Sequence, residues 1–125
     1  MRSMMDELIG RLVSNVGVDK VVAEKAVGII LQFLVKEGPA DEVKALLGKL
    51  PNSDETIATA PADTGGMGLF GGGVIATGTR MMGLGLSMGQ VQSITRETIN
   101  FAREKAGEDA VGQIVGAIPG LSQFI

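Results

Sequence analysis

The chain contains an internal repeat, and the second copy lies 68 residues after the first. When the sequence is shifted by 68 positions, residues 17–51 align with residues 85–119 without a gap. The identical pairs are Gly17/Gly85, Phe33/Phe101, Asp41/Asp109, Val43/Val111, Gly48/Gly116 and Pro51/Pro119. These identities fall on turn residues and apolar positions, which are the positions that a repeated structural unit retains. The repeat therefore predicts one supersecondary unit built twice.

The first copy has the apolar spacing of three helices. The first helix, around residues 3–16, has an i, i+3, i+4, i+7 stripe. Asp19, a typical N-cap residue, opens a second helix that ends at Gly38 and Pro39. Because the middle of this helix is apolar on all sides except at Gln32, we expect it to be buried. The third helix runs from about Asp41, its expected N-cap, to Leu50, and Pro51 closes it.

The second copy repeats this plan. Ser87 is predicted to cap a helix that runs to about Ala106, and Asp109 to cap a last helix that Pro119 closes. The fold class is therefore all-α. We expect one helical domain, 1–125, with two tandem three-helix units packed as a pseudo-two-fold bundle. The first unit covers about 3–51, the second about 69–125, and a linker of about 52–68 joins them, with a helical turn expected near residues 54–60.

The repeated unit resembles a group of small bacterial all-helical domains of unknown function. The residues that carry this resemblance are Gly17-Val18-Asp19, Phe33, Asp41-Glu42-Val43 and Leu46 to Pro51, with their partners in the second copy. The resemblance implies an all-α fold built from a duplicated three-helix unit. By itself it implies no activity.

The composition removes the side chains that most enzymes use. The chain has no His and no Cys, and its four aromatic residues are all Phe. Because His is the commonest general base and a frequent metal ligand, we expect no catalytic residue, no metal site and no cofactor. An enzyme that uses carboxylates, with Glu97 and Arg103 as its candidate residues, remains an alternative.

The charge pattern and the N-terminus bear on partners and location. Eleven basic and 14 acidic residues are interspersed and give a net charge of −3. Nucleic-acid binding usually requires a clustered basic face, so we expect no nucleic-acid partner. Residues 1–6 lack the apolar run of a signal peptide, which favours a cytoplasmic location.

Glycine is concentrated in one segment. Ten of the 25 residues in 65–89 are glycine, and Arg80 is the segment's only charged residue. Gly66, Gly68 and Gly71 match the G-x-G-x-x-G pattern, but no strand precedes them, as a phosphate-binding loop requires. A transmembrane helix is disfavoured by Arg80 near the centre of the segment. The favoured interpretation is a loop, 65–73, followed by a short helix over 74–82.

The same segment supports a further interpretation, an apolar patch that contacts a lipid or an apolar ligand. Phe70, Met81 and Met82 are its candidate contact residues, because Met and Phe side chains make adaptable apolar contacts. We expect no membrane span.

The central helices of the two copies differ at corresponding positions. Gly28, Ile29, Gln32 and Val35 correspond to Arg96, Glu97, Asn100 and Arg103. Such a cluster is able to bind an anion or a carboxylate on a ligand or partner. The alternative is a solvated helix face, on which ion pairs contribute little. Gln32 and Asn100 are corresponding residues of the two copies, and both have amide side chains. This correspondence predicts either a buried polar pair or hydrogen bonds from these amides to nearby backbone groups.

These observations favour a non-catalytic helical module. We expect it to act by self-association, as a homo-oligomer, or by binding a protein partner. A carrier or sensor of an apolar ligand or a membrane surface is the alternative.

Overall fold

The protein is all-α in a computed structural model, which describes residues 4–50, 56, 74–118 and 121. Its helices are α1 (Met4–Val16), α2 (Lys20–Glu37), α3 (Ala40–Gly48), α4 (Val74–Met82), α5 (Met88–Ala106) and α6 (Glu108–Ala117). Within these described ranges there is no strand, which confirms the predicted fold class. The expected linker, the turn near 54–60 and the loop over 65–73 lie outside the described residues, apart from the buried, helical Thr56.

Most helix boundaries agree with the sequence pattern, and two predicted caps are wrong. The helix predicted over 74–82 has those bounds. Asp41 and Asp109 do not cap α3 and α6, because Pro39 and Gly107 occupy the N-cap positions. Both carboxylates lie in the first turn instead, where they interact favourably with the positive end of the helix dipole. α3 also ends at Gly48, before the predicted Leu50.

The two long helices begin differently at corresponding positions. The Ser87 hydroxyl accepts a hydrogen bond from the Gln90 backbone N–H at 3.2 Å, and the Gln90 side chain accepts one from the Ser87 N–H at 3.0 Å. This capping box satisfies two backbone donors at the start of α5. Asp19 occupies the N-cap position of α2 with extended backbone, but its side chain makes no capping hydrogen bond.

A glycine with positive φ joins α1 to α2, and another joins α4 to α5. Gly17, between α1 and α2, has φ +83°, and Gly85, between α4 and α5, has φ +95°. A side chain with a Cβ rarely adopts such φ values, so this turn favours glycine. The next residues, Val18 and Leu86, are both buried. The two turns share these features, and we call them the Gly17 corner and the Gly85 corner.

The core is centred on α2 and α5. α2 contacts α1, α3, α4 and α5. α5 contacts α1, α2, α3, α4 and α6. Every residue from Ala26 to Leu31 is buried, as the apolar middle of α2 predicted, and Gln32 is half-buried. In the described part of the chain no helix is both long and apolar enough to span a bilayer.

We predict that alanine has opposite effects at two glycines. Gly85→Ala should lower the free energy of unfolding by about 1–2 kcal/mol, because its φ is strained for a residue with a Cβ. Gly112→Ala should raise it by about 0.5–1 kcal/mol, because alanine is favoured inside helices, and a Cβ at Gly112 meets no other atom within 4 Å. Urea denaturation monitored by circular dichroism measures both changes. A stabilising Gly85→Ala would contradict the described turn.

Candidate functional site

The residues that distinguish the second unit lie on the outward side of α5. Arg96 and Asn100 are exposed, and Glu97 and Arg103 are half-buried. Arg103 Nη1 donates a hydrogen bond to Asn100 Oδ1 at 3.2 Å. The structure therefore joins two of these four residues directly, across one helical turn.

Two further polar residues of α5 face the core. Thr95 and Thr98 are buried, and their hydroxyls donate to the carbonyl oxygens of Val91 and Ile94, both at 2.8 Å. A buried hydroxyl that is hydrogen-bonded to its own helix needs no external partner. Polar residues of α5 therefore lie on two sides of the helix. Thr95 and Thr98 are in the core, and Arg96 and Asn100 are in solvent.

The predicted buried pair of Gln32 and Asn100 does not form. Asn100 is exposed, whereas Gln32 is half-buried and its Oε1 accepts a hydrogen bond from Arg80 Nη2 at 2.8 Å. The difference has a structural reason. α4 packs on α2 and brings Arg80 to Gln32, while Asn100 lies on the solvent side of α5 and bonds to Arg103.

The residues proposed for an apolar patch have separate locations. Met81 is 1 % exposed and belongs to the core, so its assignment as a surface contact is corrected. It lines an apolar cavity of about 20 Å³ together with Phe33 and Ile99. Met82 is 43 % exposed. Phe70 lies outside the described residues. The cavity is close to the size of a single water probe, far below the several hundred Å³ of typical ligand pockets.

The two residues named for a carboxylate enzyme do not share a cavity with Met81. Glu97 and Arg103 lie on the outward side of α5, and neither lines the apolar cavity. Among the described residues, no three carboxylates come together in a group able to hold a metal ion.

A charged cluster between α1 and α5 was missed by the sequence analysis. Arg11 donates to both carboxylate oxygens of Glu104, at 2.7 and 3.1 Å, and to Glu7 at 3.2 Å. Such a bidentate arrangement fixes orientation as well as supplying attraction. Lys105 Nζ lies 3.9 Å from Glu7 and completes the cluster.

The cluster covers the ring of Phe101. This residue is fully buried, and the Arg11 guanidinium and the Lys105 ammonium each lie 5.3 Å from its ring centroid. Both distances fit cation–π attraction. The Glu7/Arg11 spacing of four residues was a visible helix signal. Glu104 was not predictable as its partner, because it lies 93 residues away from Arg11.

Hydrogen bonding shifts the pKa values of Arg11 and Glu104 in opposite directions. The hydrogen bond from Arg11 lowers the pKa of Glu104, and the same bond raises the pKa of Arg11 above its ordinary value. Both shifts favour the charged forms of the two groups, and the geometry of the cluster is that of a link between helices.

No family model, no curated protein and no solved structure matches the chain. The resemblance to bacterial helical domains of unknown function therefore stays a prediction.

We predict that the contribution of Glu104 to stability depends on pH. Because its pKa is lower in the folded state, the stabilisation is present above the unfolded pKa of about 4.3 and is lost as pH falls through the folded value. Glu104→Gln should therefore be less stable than the wild type at pH 6–8. This difference should shrink below about pH 4.

Urea denaturation across this pH range measures the difference. Glu37→Gln is the matched control, because Glu37 is exposed and forms no ion pair with the described residues. High salt should reduce the effect at Glu104, since the cluster is accessible to solvent. A Glu104→Gln deficit that is the same at pH 3 and pH 7 would contradict this assignment.

Proposed function

We propose that the chain is a non-catalytic helical module that acts by self-association or by binding a protein partner. One observation carries the proposal. Exposed apolar side chains flank both glycine corners. Val13 and Val21 are 39 % and 57 % exposed on the helices that meet at Gly17, and Met82 and Met88 are 43 % and 47 % exposed on those that meet at Gly85.

The grouping of these side chains distinguishes them from ordinary surface residues. Single exposed apolar residues are common on monomers and need no explanation. Of the five large apolar side chains that are exposed among residues 6–50, 56, 77–118 and 121, four lie near a corner, and Val35 is the exception. Apolar surface that recurs at two equivalent turns favours burial against another molecule.

We further infer that the two units are related by a pseudo-two-fold axis. Two observations support this relation. α2 and α5 begin at positions 20 and 88, and α3 and α6 at positions 40 and 108, each pair 68 residues apart. In addition, the packing of α1 on α5 has a counterpart in the packing of α4 on α2. Such an axis would give the two corners equivalent places in the fold.

The alternative of an apolar-ligand carrier has less support. Met81 fills the core, and the cavity beside it has a volume of about 20 Å³. A ligand of lipid size would require the core to open. The Met82 and Met88 side chains at the Gly85 corner fit contact with an apolar surface, which a protein partner also provides.

We predict that polar substitution at the corners weakens association at least about tenfold. Burying one Val or Met side chain contributes roughly 1.5–3 kcal/mol, and 1.4 kcal/mol is a factor of ten in Kd. Multi-angle light scattering from 10 µM to 1 mM should give wild-type masses that rise above the 12.9 kDa of one chain. Val21→Asp with Met88→Asp should return the mass toward that value. Val35→Asp is the matched control.

A wild type that stays monomeric requires the protein-partner form of the proposal. Chemical crosslinking of the tagged chain in its own host then provides the test. Capture that is lost in the double corner variant and retained in Val35→Asp supports the proposal. A strict monomer that captures no protein in a corner-dependent manner contradicts it.

A further inference from the structure

We propose that the outward side of α5 recognises an acidic helix of a partner protein, one that carries two carboxylates seven residues apart. The inference rests on the proposed function, because it specifies the partner of an interaction module. The surface consists of Gln92, Arg96, Asn100 and Arg103, which we call the arginine stripe. These residues recur at three- and four-residue spacing and therefore lie along one side of the helix.

The sequence of α5 leaves both arginines without a neighbouring carboxylate. Residues three or four positions away are the neighbours of a residue on a helix surface. For Arg96 they are Gln92, Ser93, Ile99 and Asn100, and for Arg103 they are Ile99, Asn100, Ala106 and Gly107. None of these side chains is acidic. Glu97 is adjacent to Arg96 in sequence, and adjacent residues of a helix do not face each other.

The described part of the tertiary structure does not supply the missing counter-charge. In the described structure, neither Arg96 nor Arg103 forms an ion pair. Glu104, the other carboxylate on α5, has both oxygens bonded to Arg11. The contrast with Arg11, which contacts two carboxylates, shows that this fold does pair an arginine where it serves as a link between helices. The stripe arginines have no such role.

Asn100 arranges the stripe for binding. Its Oδ1 accepts a hydrogen bond from Arg103 Nη1, which orients that guanidinium along the helix surface. A guanidinium has five N–H donors, so this bond leaves most of them available to a second acceptor. Arg96 lies one turn before Asn100 and is exposed. Paired donors of this kind match the two oxygens of a carboxylate.

The spacing of the two arginine backbones matches a helical partner. Seven residues at a rise of 1.5 Å place their backbones about 10 Å apart on one side of α5. Carboxylates at i and i+7 of another helix have the same separation and also share one side. In an extended strand, side chains on one face are separated by about 7 or 13 Å, which fits the stripe less well.

Other acidic ligands match the stripe less closely. A single phosphate or carboxylate presents one acceptor group, whereas the stripe presents two guanidiniums on backbones about 10 Å apart. A nucleic acid presents a continuous row of phosphates and binds to clustered basic faces. This chain has a net charge of −3, and its stripe has two cations.

Titration of the ¹⁵N-labelled full chain with a defined peptide tests the inference. The probe is a lactam-stapled, alanine- and glutamine-based helix with two Glu residues seven positions apart. The control peptide has the same composition, with its two Glu residues on opposite sides. At 20 mM salt, the probe should shift the resonances of Arg96, Asn100 and Arg103. Most of this binding should disappear at 0.5 M salt.

Single variants should weaken probe binding by about threefold to fivefold, the upper part of the range expected for one exposed ion pair. Arg96→Gln and Arg103→Gln remove the two charges in turn, and their combination should weaken binding about tenfold or more. Lys44→Gln is the control, because Lys44 is an exposed cation on α3. Asn100→Ala should weaken probe binding less than Arg103→Gln does, because it removes the bond that orients the Arg103 guanidinium and removes no charge.

The outcomes are distinct. Preferential binding of the probe that depends on both arginines supports the inference. Resonance shifts elsewhere, equal binding of the control peptide, or unchanged binding by both Gln variants overturns it. Tighter binding of a short DNA duplex or of inorganic phosphate at the same residues also overturns it.

Failure of the proposed function has a different signature. That proposal fails if the chain neither associates nor captures a protein in a corner-dependent manner. The inference alone fails if corner-dependent association or capture persists while the Arg96→Gln and Arg103→Gln variants bind the acidic peptide as the wild type does.

Discussion

The burial of α2 is the constraint on which the rest of the structure depends. Every residue from Ala26 to Leu31 is buried, so this helix needs neighbours around most of its circumference. Four helices supply them, α1, α3, α4 and α5. Because apolar burial is the dominant favourable contribution to folding, the chain gains most by packing these four helices around α2. The corners with positive φ at Gly17 and Gly85 then turn each first helix back onto the long helix that follows.

α5 buries positions that correspond to buried positions of α2, and two of these positions carry polar residues in α5. Val27 and Ile30 correspond to Thr95 and Thr98, and all four are buried. The two threonines remain compatible with the core because each hydroxyl bonds to a carbonyl of its own helix. This arrangement leaves the outward side of α5 free to become polar. Its arginines can therefore serve binding without a loss of core packing.

The sequence predicted the fold better than it predicted the contacts. Turn residues and apolar spacing are local signals, and they placed α4 and both glycine corners correctly. The side-chain register of the first helices was not predictable from the repeat. With an offset of 68, buried Met81 corresponds to exposed Val13, so the alignment does not carry over to the buried faces of α1 and α4. The pairing of Arg11 with Glu104 depends on tertiary packing, which no local pattern encodes.

The Arg11–Glu104 cluster and the arginine stripe both use residues of α5, and they have different physical roles. Arg11 is bonded to two carboxylates and lies over the buried ring of Phe101, so moving it would break contacts that join α1 to α5. Arg96 has no such contacts in the described structure, and α1 would stay in place if it moved. An arginine that can change partners without disturbing the packing of helices is suited to reversible recognition, because its binding energy is not opposed by a loss of fold stability. This separation of the two roles on α5 is the physical basis for assigning recognition to the stripe and cohesion to the cluster.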